Sequence, residues 1–228
     1  MTIVIKPNLI FIIFSKRNVF FLSKVMNSIS SLILAGGNSE RMGEPKSLLK
    51  FGNSTFLEKI IFEYLSAGIN KIFVVLNNQL IDHPIITKIK KVTGENVEFI
   101  SNYYPGEGRF LSIKKGIKKA GNFTFCFIQN SDNPFVNSDL ILQLILEKNY
   151  MGYTIPVYEG KGGHPILISG SIIRAISETK NKETNLRDLL RNFSKKEVAV
   201  KSKEILCNIN TREDYFAWVN GSINEKHL

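Results

Sequence analysis

From residue 29 onward the chain alternates short, unbroken apolar runs with longer segments whose apolar residues recur every three or four positions. Residues 29–35, 72–76, 97–100, 123–128, 154–157 and 165–168 are runs of the first kind. Each is short and continuous, so each reads as a buried strand. Residues 55–67 show the second pattern. Phe56, Ile60 and Tyr64 fall on one helical face, flanked by Leu57, Ile61 and Leu65, with Ser54 as N-cap and Gly68 as the stop. Similar spacing predicts helices at 84–92, 109–120, 138–148, 171–178, 186–192 and 212–219. Unbroken strands alternating with helices imply a mainly parallel sheet covered on both faces. Ligands of such sheets lie at the carboxyl ends of the strands. The informative segments are therefore 36–46, 77–78, 102–112 and 130–132, and all four are polar, charged or Gly-rich.

Composition narrows this picture. The 228 residues suit one α/β domain, with no internal repeat and no interdomain linker. The two cysteines, Cys126 and Cys207, form no CxxC pair. That usage fits a reducing, cytoplasmic setting and argues against a thiolate zinc site. Thirty Lys and Arg against twenty Asp and Glu give a net charge of +10. There is no Arg/Lys stripe with interleaved aromatics and no reader motif, so nucleic acid is not the expected partner. A positive field suits capture of small anionic substrates.

Residues 1–25 stand apart. Lys6, Lys16, Arg17 and Lys24 are basic, and no acid occurs before Glu40. The apolar run 9–14 is far below the ~20 residues that span a membrane, so no membrane association is expected. No A-x-A-like cleavage site follows it. Residues 1–25 are expected to be an extension outside the fold, and residues 26–228 the single domain.

The segment Leu34-Ala35-Gly36-Gly37-Asn38-Ser39-Glu40-Arg41-Met42-Gly43-Glu44-Pro45-Lys46 carries the clearest chemistry. Glycines directly after a strand let backbone N–H groups approach a polyphosphate without a Cβ in the way. Arg41 and Lys46 add two cations. Walker A is excluded because Glu44 and Pro45 follow Gly43, and GxGxxG is absent.

This segment resembles the L-A-G-G-x-S-x-R-M-G-x-x-K signature of the MobA-like nucleotidyltransferases, which include the molybdenum-cofactor guanylyl- and cytidylyltransferases. The resemblance implies a three-layer α/β/α sandwich with a mostly parallel, Rossmann-like sheet. It implies that Leu34, Ala35, Gly36, Gly37, Asn38, Ser39 and Arg41 hold a nucleoside triphosphate, CTP or GTP, and that Lys46 stabilises charge at the reacting phosphate. Arg41 and Lys46 are the expected catalytic cations. Asn77, at a strand exit, joins the nucleotide side. So do Gly108 and Ser112, from a helix-opening segment that lies where related enzymes surround base and ribose.

Asp132 follows the run 123–128, and a carboxylate at a strand exit suits Mg²⁺ (or Mn²⁺), which borrows further ligands from phosphates. Its surroundings resemble the family's D-x-P motif. Asn208-Ile209-Asn210-Thr211-Arg212-Glu213-Asp214 resembles the late N-x-N-T-x-x-D motif, making Asn210 a second, uncharged metal candidate. Thr211 and Asp214 alternatively cap the last helix. Gly163-His164-Pro165 and Leu186-Arg187-Asp188-Leu189-Leu190 are similar to cytidylyltransferase elements, although Leu186 stands where that pattern has Gly. They offer His164 and Arg187 for the acceptor.

The expected acceptor is a phosphorylated small molecule. A phosphate monoester is a dianion near pH 7, its second pKa being ~6, and needs no protein base. Its oxygen attacks the α-phosphate and pyrophosphate leaves. Transfer to a sugar phosphate or lipid-precursor phosphate is the neighbouring alternative. A non-catalytic nucleotide-binding module is the alternative of a different class, suggested by the missing acid at Asn210.

Overall fold

Period-two alternation along the central strands sorts the interior into two layers. In β3 (Ile29–Ala35), Ile29, Ile33 and Ala35 point to one face and Leu32 and Leu34 to the other. β6 (Ile72–Asn77) and β8 (Phe125–Asn130) divide the same way. One face is covered by α1 (Phe56–Ser66), α2 (Pro84–Thr93) and α4 (Ser138–Leu146). The other is covered by α3 (Arg109–Ala120), α5 (Gly170–Glu178) and α6 (Leu186–Leu190). The result is the expected three-layer sandwich. This computed structural model describes residues 4–6, 9–11, 25–37, 42–181 and 184–220.

The main sheet runs β7 (Val97–Asn102), β6, β3, β8, β11 (Ile166–Ser169), β9 (Gly152–Tyr158). β12 (Ser194–Ala199) and the two-residue β10 (Lys161–Gly162) both pair with β9. β7, β6, β3 and β8 are mutually parallel, and β12 is parallel to β9. β11 is antiparallel to both β8 and β9, so the sheet is mixed. β12 has no counterpart in the sequence pattern. Its residues Ser-Lys-Lys-Glu-Val-Ala bury only Val198, which gives no apolar run to detect.

Two small ladders lie off this sheet, β1 (Val4–Lys6) with β2 (Leu9–Phe11) and β4 (Lys50–Phe51) with β5 (Ser54–Thr55). The cap of α1 is Thr55 rather than Ser54. Its hydroxyl accepts from Glu58 N while the Glu58 carboxylate accepts from Thr55 N at 2.9 Å, a reciprocal box that Ser54 lacks the spacing to make. Gly68 follows the helix with φ +85°, as a stop residue must. Cys126 is fully buried, and burial pushes its thiol up to about 12, so it is an inert core residue. Among the described residues no helix is long and apolar enough to cross a membrane.

A third, smaller cluster sits at the edge of the sandwich. Met42, Leu49, Phe56 and Ile209 are buried in it, with Phe51, Phe135, Tyr215 and Trp218 packed around them. It joins the exit of the Gly-rich segment to α7 (Arg212–Val219).

Candidate active site

The carboxyl ends of β3, β6, β7 and β8 fall on one edge, and three of them finish on asparagine: Asn77, Asn102 and Asn130. Asn77 stands opposite Asn102, and Leu34 opposite Asn130. Leu34 and Ala35 bury their side chains in opposite core layers, leaving only backbone for a ligand. Gly36 is buried where a Cβ would stand 3.0 Å from Asn102 Nδ2, so the chain leaves the sheet in tight contact with that side chain. Asn102 Nδ2 donates to Gly36 O at 3.4 Å and to Ser112 Oγ at 3.3 Å, and Lys115 Nζ donates to Asn102 Oδ1 at 2.8 Å. One asparagine thus ties the loop entrance to the first turns of α3. Gly37 is exposed with open space around it. Asn38, Ser39 and Arg41 lie outside the described residues.

The chain returns at Met42, which is buried, and turns at Gly43 with φ +70°. Arg212 Nε donates to Met42 O at 2.8 Å. Lys46 then opens a single 3-10 turn, Lys46–Leu48, after Pro45. Its Nζ donates to Asn210 Oδ1 at 3.0 Å. Residues 164 positions apart in sequence therefore meet at the strand edge. Thr211 caps α7 and the Asp214 carboxylate accepts from the backbone N–H of both Asn210 and Thr211 at 2.8 Å. The capping expectation for this segment holds, and the same turn presents Asn210 to Lys46.

Asp132 is half-buried in the loop after β8. Gln129 Nε2 laces that loop by donating to Asn130 O and Asn133 O, and Ile209 N donates to Asp132 O at 2.7 Å. Asp132 Oδ1 is sealed from solvent with no hydrogen-bond partner. Burial raises the carboxyl above its ordinary pKa, while the positive charges of Lys46 and Arg109 pull it down. Arg109 is exposed but crowded, and loss of hydration lowers its pKa against the pull of Asp132. His164 lies on the cis peptide to Pro165. Burial, then the Arg109 charge, lower its pKa to about 4. Its Nε2 is 3.4 Å from Asn130 Nδ2, and its Nδ1 is sealed without a partner.

A cavity of about 580 Å³ opens beside this group. His164, Arg187 and Arg109 line it, together with Lys195 of β12. Its remaining wall is largely apolar, with Phe110, Ile113 and Ile166 among its residues. The two acceptor candidates from the sequence thus share one wall. Ser112 is buried under the loop entrance, and Gly108, with φ +90°, is the N-cap of α3. Asn77 uses its side-chain oxygen to accept from Gln79 N at 3.0 Å, a turn-forming role.

Arg109 and Lys195 escaped the sequence reading. Arg109 has no role of its own in the helix-opening segment as read from sequence, and only the fold brings its charge to bear on Asp132 and places it on the cavity wall. Lys195 sits on the strand that the pattern did not reveal. Among the described residues no three His, Cys, Asp or Glu side chains converge as a metal cage.

Comparison with known proteins places this geometry. Residues 31–199 match the model of the MobA-like NTP transferase domain. The chain is 27% identical over 192 residues to the molybdenum cofactor cytidylyltransferase of Escherichia coli, covering 83% of this chain and 95% of that one. It is 27% identical over 201 residues to a probable molybdenum cofactor guanylyltransferase of Bacillus cytotoxicus, covering 83% and 96%. A Mycobacterium tuberculosis protein solved as a manganese complex shares the fold, with a TM-score of 0.65, 17% identity, and coverage of 84% and 98%. With a matching family model over most of its length and the family's loop at the strand edge, the chain belongs to the MobA-like NTP transferase family and is a nucleotidyltransferase.

Proposed function

We propose that this enzyme moves the nucleotidyl group of CTP or GTP onto the phosphate of a pterin-like acceptor of the molybdenum-cofactor kind, releasing pyrophosphate. The observation that carries this reading is that the charges of Lys46 and Arg109 both act on Asp132, while Arg109 also lines a cavity with His164 and Arg187. The triphosphate lies along residues 36–46 and its α-phosphate faces Lys46. The acceptor lies in the cavity, its phosphate toward Arg109 and Arg187. A phosphate dianion attacks in line without a protein base. Two polyanions must approach each other, so positioning and charge neutralisation carry the catalysis.

The residues present fit a divalent cation. Asp132 offers one sealed, unpartnered oxygen, and Mg²⁺ takes one or two carboxylates together with substrate phosphates and waters. Asn210 serves chiefly to hold Lys46, its Oδ1 already receiving that ammonium. When bound, Mg²⁺ or Mn²⁺ supplies charge neutralisation at the phosphates. The manganese complex of the Mycobacterium tuberculosis relative in fold is in keeping with this. Two cysteines without a pairing motif support a cytoplasmic setting, and small anions rather than nucleic acid account for the positive charge.

Pyrophosphate release, measured over the four nucleoside triphosphates and a panel of phosphorylated pterins, sugars and lipid precursors, tests the reading. CTP or GTP with a pterin phosphate is expected to give the highest turnover. Lys46→Ala is expected to lower it about 100-fold or more, with an unchanged circular dichroism spectrum. Near-normal turnover in Lys46→Ala, or preference for another acceptor class, would overturn it.

A further inference from the structure

Among the described residues the cavity wall contains three cations, Arg109, Arg187 and Lys195, and no carboxylate. Lys195 is already met by Glu197 at 2.6 Å. Arg187 belongs to α6, whose Leu186 and Leu190 face the same cavity. Arg109 differs from both, because it is the cavity-lining cation whose charge is also felt by Asp132 and by His164. It heads α3 directly after Gly108, whose φ of +90° turns the chain into the helix. α3 cannot drift, since Gly116 lies so close to Leu32 of β3 that a Cβ there would overlap its side chain. Arg109 is thus mounted on a closely packed helix, lines the cavity and acts on Asp132 through its charge.

We propose that Arg109 is a specificity-determining residue of the acceptor site, selecting a phosphomonoester over an uncharged molecule of the same shape. The inference rests on the acceptor reading given above. A planar guanidinium presents paired N–H donors that match two phosphate oxygens, which Lys195 cannot do from a compact ammonium shared with Glu197. The neutral His164 brings no charge, so the phosphate depends on the arginines. Phe110 and Ile113, on the same helix as Arg109, line the cavity too and offer the body of the ligand an apolar contact.

Calorimetric titration of the full chain, its loop filled with a non-hydrolysable triphosphate analogue, provides the test. The probes are phenyl phosphate and phenol, which share a ring and differ in the charged group. Phenyl phosphate is expected to bind saturably. Arg109→Gln should weaken it about tenfold or more, the loss of a charge-assisted contact, while phenol and the triphosphate analogue change less than about twofold. Arg109→Lys, which keeps the charge without the fork, should fall between. Phenyl phosphate binding that is unchanged in Arg109→Gln, equal losses of phenyl phosphate and triphosphate, or no saturable binding to the unmodified chain would each overturn the proposal. The wider functional reading fails differently, by an absence of pyrophosphate release with every phosphorylated acceptor while this binding difference persists.

Discussion

His164 has a pKa near 4 because burial strips its cation of water and Arg109 repels it. It is therefore neutral at pH 7. Its Nε2 lies 3.4 Å from Asn130 Nδ2, and its Nδ1 is sealed from solvent. The same depression has a cost in acid. The unfolded chain takes up a proton near the ordinary 6.5, and the folded one only near 4. Stability from this group is complete above about pH 6.5 and is lost as pH falls towards 4, to a limit of about 3 kcal/mol. By pH 5 the loss should approach 2 kcal/mol, or about 5 °C in melting temperature. His164→Gln should therefore melt with a shallower dependence between pH 7 and pH 5 than the unmodified chain. Asp132, whose carboxyl is raised, titrates in both proteins and cancels in the difference. Parallel melting curves against pH would show that His164 is not held neutral.

Among elements, the Gly-rich loop and α7 form one unit although they lie far apart in sequence. Arg212 Nε holds Met42 O, Lys46 holds Asn210, and the aromatic cluster around Phe56 and Trp218 lies beneath. Arg212 is exposed and its hydrogen bond is to the loop, so Arg212→Ala should lower the melting temperature by no more than about 5 °C. The loop loses a charge-assisted tether worth about 1.5–3 kcal/mol at most. The KM for the triphosphate should rise about tenfold, with a smaller change in kcat, and Arg212→Lys should recover part of it. An unaltered KM would reduce this bond to a surface contact. The sequence made the central strands legible because buried parallel strands need unbroken apolar runs, and it made their exits legible because Asn77, Asn102 and Asp132 interrupt those runs. It hid β12, whose strand bonds are made by polar residues at the sheet edge, and it hid Arg109, whose meaning depends on the packing of Gly116 against Leu32. Asn210 and Lys46 were each legible as parts of motifs, but their pairing was not, since nothing local joins residues so distant.

At the scale of the whole molecule, the question is where the folded unit begins. The paired strands β1 and β2 share no ladder with the main sheet, whose first strand starts at Ile29. The junction is closer-knit. Val25 and Met26 are half-buried against the core, and the Met26 Cε lies 3.5 Å from the place a Cβ would take on Gly68. Ser28 N and Ser28 Oγ both donate to Val25 O, at 3.0 and 2.7 Å. We propose that residues 1–25 are dispensable for folding and nucleotide binding, with a small toll at this junction. A chain beginning at Met26 keeps the methionine contact but loses the Val25 carbonyl. Two neutral hydrogen bonds at a half-exposed site are worth about 1–2 kcal/mol together, and water can replace them. The melting temperature should therefore fall by no more than about 5 °C, with triphosphate affinity unchanged. A chain beginning at Val25 should close most of that gap. Insolubility, or a much larger fall that the added Val25 does not restore, would mean that the segment before it packs on the domain.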